Sequence, residues 1–156
     1  MIFLGACGAR IYKGIVFKQN VTGYLKRAAD ANTIDLAQTE LQRAIQYLEA
    51  NQLTTGYTSI LYRTPDEDID FWYRNLKASE EELTTLQSTS ALEKTNVLMK
   101  LRETLLDTGE KTRVTVPEGL AVYPNNGLWA ILMTLALLGG VGAFINWAYQ
   151  YEKAKK

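Results

Sequence analysis

GLWAILMTLALLGGVGAFINWA, the stretch from Gly127 to Ala148, contains no charged side chain. At 1.5 Å of rise per residue it is long enough to cross a hydrocarbon core of about 30 Å. Trp129 stands near its start and Trp147 near its end, with Tyr149 and Tyr151 just beyond. Rings at both ends suit a membrane interface, because each has an apolar body and a polar tip. The competing reading is a buried core helix, but such a helix is usually apolar along one stripe rather than on every side. We therefore expect a transmembrane helix over 127–149, followed by a basic tail over 150–156.

Small residues cluster within this span. Ala136 with Gly140, and Gly139 with Ala143, have the small-xxx-small spacing that lets a second helix backbone approach closely. These four residues are the expected packing surface inside the membrane, although glycine is also simply common in such helices. The tail carries Lys153, Lys155 and Lys156, whereas the nearest preceding cations, Lys111 and Arg113, lie about fourteen residues before the span. The positive-inside rule then places the C-terminus in the cytoplasm and the preceding body outside it, in an extracytoplasmic or lumenal space. A tail-anchored protein with a cytosolic body is the competing topology.

Working outward, the 156 residues suit one modest domain with appendages. Seventeen basic and seventeen acidic residues cancel, so no basic excess favours nucleic acid. Histidine is absent, which removes the commonest general base and the commonest metal ligand. The single Cys7 can form neither an internal disulfide nor a zinc cluster. Hydrophobic residues make up 47% of the chain while its mean hydropathy is only −0.14, which fits apolar residues gathered in one place.

The opening MIFLGACGARIYKGIVF, 1–17, is apolar but interrupted by Arg10 and Lys13. Each cation would cost about 2.5–3.5 kcal/mol at the centre of a spanning helix. Three readings compete: an interfacial amphipathic helix, a short membrane helix packed on the first, or a signal-like start. We expect a membrane-associated helix over 1–20, with Gly5, Gly8 and Gly14 packing against the Gly139 region. Leu4-Gly5-Ala6-Cys7 loosely resembles a lipoprotein processing box, but no basic residue precedes it.

Between these segments, 21–109 reads as a small antiparallel bundle of about three helices, giving an all-α fold. Ile34 to Asn51 carries Ile34, Ala37, Leu41, Ala44, Ile45 and Leu48 at helical spacing, capped by Asn32 or Thr33. Thr64-Pro65-Asp66-Glu67 predicts the start of a helix running to about Gln87, with Thr64 as N-cap. Ser90 and Glu93 form a second capping box, opening a helix through Leu106 that Gly109 ends. Residues 110–126, with Pro117, Gly119 and Pro124, read as an extended linker. Val114 to Val116 suggests a short strand without an obvious partner.

Chemistry-bearing patterns are few. The run Asp66-Glu67-Asp68-Ile69-Asp70 loosely resembles a calcium loop, but Phe71 and Lys77 occupy the places of its glycine and its final glutamate. Helix capping explains the acids without a metal. Asn20-Val21-Thr22 fits a glycosylation sequon, a frequent chance match. We expect no catalytic residue, no metal and no cofactor. The aromatic group is the stronger signal. Tyr57, Tyr62 and Trp72, with Phe71 and Tyr73, exceed what one helix face can bury: either 54–63 folds over the group or part of it is displayed, and Tyr57, Tyr62 and Trp72 are the expected interaction surface.

The run TTGYTSILYRTPDEDIDFWYRNLKAS, with YLKRAADANTIDLAQTELQRAIQYLE before it and KTNVLMKLRETLLD, VPEG and YPNN after it, is similar to a family of uncharacterised small bacterial membrane proteins, cyanobacterial ones included. The resemblance implies a helical body held between two hydrophobic helices on a bacterial inner or thylakoid membrane. It carries no activity. The resulting expectation is a non-enzymatic accessory or scaffold protein whose partners are the bilayer and a larger membrane complex or a second copy of itself. The alternative is a binding or sensor module for a lipid, pigment or other small apolar ligand beside Trp72.

Overall fold

The computed structural model describes residues 2–61, 63–87, 90–108, 112–122 and 126–154. It is mostly helical. Helix α1 (Ile2–Phe17) runs through a π-helical turn (Lys18–Thr22) into α2 (Gly23–Ala29). Then come α3 (Ile34–Ala50), α4 (Ile69–Thr85), α5 (Ala91–Leu105) and α6 (Asn126–Ala154). Strands β1 (Leu106–Asp107) and β2 (Arg113–Val114) pair antiparallel after α5, and 3-10 turns cover Pro65–Glu67 and Leu120–Val122.

The N-terminal helix does not stop near residue 20. Both Phe17 and Gly23 keep right-handed helical dihedrals, so α1 and α2 form one continuous rod. The π turn between them has a packing reason. Eight residues at 100° each would turn Leu25 about 80° away from the face of Phe17. A π turn closes on i→i+5 bonds and holds an extra residue, which takes back most of that angle. Phe17, Val21 and Leu25 consequently all enter the core. Gly23 N–H donates to the Lys18 carbonyl, and the Asn20 side-chain amide donates to the Val16 carbonyl at 2.8 Å. An added Cβ at Gly23 would stand 3.0 Å from the Lys18 oxygen, so glycine suits the wide turn. The sequon asparagine is therefore a bonded residue within a helix.

The core is built where the rod, α3, α4 and α5 meet. In α3 the expected face is buried at Ala37, Leu41, Ala44, Ile45 and Leu48, with Ile34 packed on its edge. Thr33 is the cap, its Oγ1 accepting from Leu36 N–H at 3.4 Å. Helix α4 adds Ile69, Trp72, Leu76 and Leu83, and α5 adds Leu101 and Leu105. Ser90 caps α5 by accepting from Glu93 N–H.

Two boundaries differ from expectation. Helix α4 begins at Ile69, and its cap is Asp68 rather than Thr64. Gly56 and Thr58 exchange backbone hydrogen bonds with Ile69 and Glu67, and Tyr57 bridges Asp68. That pairing holds Asp68 extended, so Pro65–Glu67 closes as a separate turn. Likewise α5 ends at Leu105 because Leu106 and Asp107 pair with Val114 and Arg113. Within the stretch expected as an extended linker, the described residues are docked, with Pro117, Leu120 and Val122 buried. Gly109, where the sequence suggested a stop, and Pro124 lie outside the described residues.

Candidate functional site: the exposed apolar helix and the surface at its base

Helix α6 has 29 residues, and no described residue along its apolar stretch is buried. Among the described helices it alone is long and apolar enough to cross a membrane. Leu135, Leu137, Leu138, Val141, Phe144 and Ile145 all stand exposed, pointing in several directions around the axis. No described residue buries them. Of the four small residues, Ala136 is half-exposed and Gly139, Gly140 and Ala143 are exposed. A Cβ added at Gly139 or Gly140 would meet nothing within 4 Å.

The interface aromatics occupy the two ends. Phe144, Trp147 and Tyr151 form a ladder along one side of the far end, with ring centroids 5.9 and 5.7 Å apart. Tyr149 is exposed beside it. At the base, Trp129 is half-buried and Lys13 lies 5.9 Å from the centre of its ring.

That contact shows how the N-terminal helix sits. Helix α1 packs along the first part of α6 and against the turn Leu120–Val122. The expected route, through Gly5, Gly8 and Gly14, is not the one used: an added Cβ at any of them meets nothing within 4 Å. The side facing α6 instead carries Lys13 and Arg10, and both cations stand near the start of the apolar helix. There their apolar stems can lie along the helix while the charges reach the interface. This placement also changes the charge comparison across the span. Arg10 and Lys13 add two cations at the body end of the apolar helix, opposite the lysines of the tail.

On the body, the aromatic group separates into two environments. Trp72 is 7% exposed, and its indole donates to the Thr115 carbonyl at 2.7 Å. It is a core residue, which corrects the expectation that it is displayed. Its neighbour Phe71 is 56% exposed instead, since consecutive helical residues diverge by 100°. Tyr57 is partly exposed, with the Arg63 guanidinium 5.6 Å from its ring centre. Tyr62 lies outside the described residues. The segment 54–61 leaves Phe71 exposed and itself exposes Ile60 and Leu61, the latter at 83%. Ile60 shares a cleft with Trp129 and Met133, so this apolar loop lies beside the base of α6.

A second cleft, of about 240 Å³, lies beside Trp72 and is lined by Pro65, Phe71, Leu76, Val116 and Pro117 among others. The acidic run borders it but is mostly committed elsewhere. Asp68 Oδ1 accepts from the N–H groups of Asp70 and Phe71, Asp70 pairs with Arg74 at 3.0 Å, and Glu67 accepts from the Thr64 hydroxyl at 2.9 Å. Among the described residues no three metal-capable side chains converge.

Two polar features escaped the sequence reading. Glu40 is 2% exposed and pairs with Arg27 at 2.9 Å and Arg43 at 3.4 Å, while both guanidinium groups lie near the Tyr24 ring. Its place three residues after Ala37, on the edge of the buried stripe, was the available signal. Tyr73 donates to Glu49 at 2.5 Å, and burial together with that carboxylate raises its phenol above the usual tyrosine range. Both features tie helices of the body together. Nothing matches the chain among protein-family models, curated proteins or solved structures, so the reading of this surface stands on its own geometry.

Proposed function

We propose that the chain is a non-enzymatic membrane-anchored accessory protein. In this reading α6 holds it in a bacterial inner or thylakoid membrane, and α3–α5 form an antiparallel bundle displayed as a docking body. One observation carries the proposal: a long helix, apolar on all sides, that its own chain leaves uncovered. Water is a poor solvent for that surface, at roughly 25 cal/mol per Å², and lipid is the solvent that matches it. The exposed Ile60 and Leu61 beside Trp129 extend the apolar surface onto the underside of the body.

The partner is a larger membrane complex or a second copy of the chain. The open edge along Ala136, Gly139, Gly140 and Ala143 suits a second helix, because no side chain there holds a backbone away. Confinement to the bilayer raises the effective concentration of such a partner without any new contact. Native purification in several mild detergents tests this. The expected result is a species larger than the monomer that Gly139→Leu with Ala143→Leu reduces to monomer. A monomer under every detergent would contradict it.

The cleft beside Trp72 favours a second reading, a binding module for a small apolar ligand. Its roughly 240 Å³ falls below the usual range of about 300–1,000 Å³ for such sites, which ranks this reading second.

A further inference from the structure

Where α1, α6 and the segments around Thr58 and Gly119 meet, a cleft of about 410 Å³ opens at the base of the apolar helix. Two residues that line it each carry a buried polar atom without a hydrogen-bond partner. Thr58 is 5% exposed and its Oγ1 has no partner; the indole Nε1 of Trp129 is buried, also without one. The Thr58 backbone is fully committed, its N–H donating to the Glu67 carbonyl and its C=O accepting from the Asn126 side chain at 2.5 Å. Thr58 is therefore held in place with its hydroxyl idle. A buried polar group without a partner is costly, so two on one cleft mark a position for a ligand that brings acceptors.

The charges agree. Arg10 lines the cleft and Lys13 lies over the Trp129 ring, and neither makes an ion pair among the described residues. Helix α6 begins here with no acidic side chain in its first turn, so its positive end is uncompensated from within that turn. The same cleft is lined by Glu67 and Glu118, which offer acceptors. Cations and idle donors suit phosphate oxygens, whereas the carboxylates suit a group with N–H or O–H to give.

We propose that this cleft binds the head group of a phospholipid that ends in a hydrogen-bond donor. Its phosphate oxygens accept from Arg10, Thr58 and Trp129, and its terminal amine or hydroxyl donates to Glu67 and Glu118. The inference rests on the membrane-spanning reading of α6, which puts Trp129 at head-group depth. Ethanolamine and glycerol heads satisfy both halves of the site. A choline head has no N–H or O–H for the carboxylates and ranks last.

Native mass spectrometry of the full chain with phosphatidylethanolamine, phosphatidylglycerol and phosphatidylcholine tests it. One donor-bearing lipid should be retained over phosphatidylcholine by on the order of tenfold, and Arg10→Gln should weaken retention of all three lipids, since each carries the phosphate that Arg10 holds. Thr58→Val keeps the side chain's shape and the Asn126 bond. It should weaken lipid retention while raising the stability of the lipid-free protein, since an idle buried hydroxyl is removed; a purely structural Thr58 would not split the two readouts. Equal retention of the three lipids, or no effect of either substitution, overturns the proposal. So does displacement of the lipid by equimolar glycerophosphoethanolamine or inorganic phosphate, which would assign the cleft to a soluble phosphate compound. Carbonate extraction separates the two levels of failure: a protein that stays in the membrane without lipid preference loses only the head-group site, and one that leaves it loses the spanning helix as well.

Discussion

Helices α3 and α6 put their apolar residues to opposite uses. Helix α3 is largely polar, yet Ala37, Leu41, Ala44, Ile45 and Leu48 are sealed against the rod, α4 and α5. Helix α6 is apolar on nearly every side and buries none of that stretch. The difference is one of solvent. A stripe at helical spacing needs a neighbour on one side only, and a small bundle supplies it. An apolar surface that closes on itself would need neighbours all round, which this body is too small to provide; in the proposed reading lipid takes their place.

The contrast gives substitutions of opposite expected effect. The largest concerns Leu48, fully buried in α3. Leu48→Ala should cost about 2–5 kcal/mol of body stability, read by chemical unfolding in detergent. Leu137→Ala, on exposed α6, should leave the same unfolding curve unchanged. Equal losses at both positions would mean that α6 is packed within the folded chain. Next comes Leu138→Lys, which should reduce membrane insertion by about 3–4 kcal/mol while the body stays folded, measured as the fraction resisting carbonate extraction.

Smaller effects sharpen the description of the body. Trp72→Phe keeps most of the buried ring but leaves the Thr115 carbonyl without its donor. A loss of about 1–3 kcal/mol is expected, together with fraying of the segment after β2, visible as faster amide exchange at Thr115 and Val116. Tyr73→Phe should cost about 1 kcal/mol at neutral pH. It should also flatten the alkaline end of the stability profile. The Tyr73 phenol is raised above its ordinary value of 10.0, so its contribution is complete below that pH and is lost as pH rises above it. Lys77, raised chiefly by its bond to Glu80, loses its contribution in the same alkaline direction.

What the sequence made legible follows the same division. The buried face of α3, its Thr33 cap, the Ser90 cap and the apolar helix are local patterns, and each could be read from a few neighbouring residues. Features fixed by distant residues could not. Thr64-Pro65 has every local mark of a helix start, but pairing of Gly56 and Thr58 with Glu67 and Ile69 moves the cap to Asp68. Val114 found its partner in Leu106, hidden at the end of a leucine-rich helix. The π turn exists because Val21 and Leu25 must reach a core that the N-terminal residues alone do not define. At the base of α6, the charges of Arg10 and Lys13 were plain in the sequence. Their meeting with Thr58 and Trp129 needed the tertiary arrangement, because nothing local links residue 10 to residue 58 or 129.

The central claim is that lipid, and not protein or water, covers α6. Spin labels at Leu135, Leu137, Leu138 and Val141, placed one at a time in vesicle-bound protein with Cys7 replaced by serine, report it through collisions with oxygen and with a water-soluble nickel chelate. Strong oxygen and weak nickel collisions at all four positions are expected. Nickel reaching any of them, or an accessibility that rises and falls with the helical period as it would on a half-submerged helix, would contradict the claim.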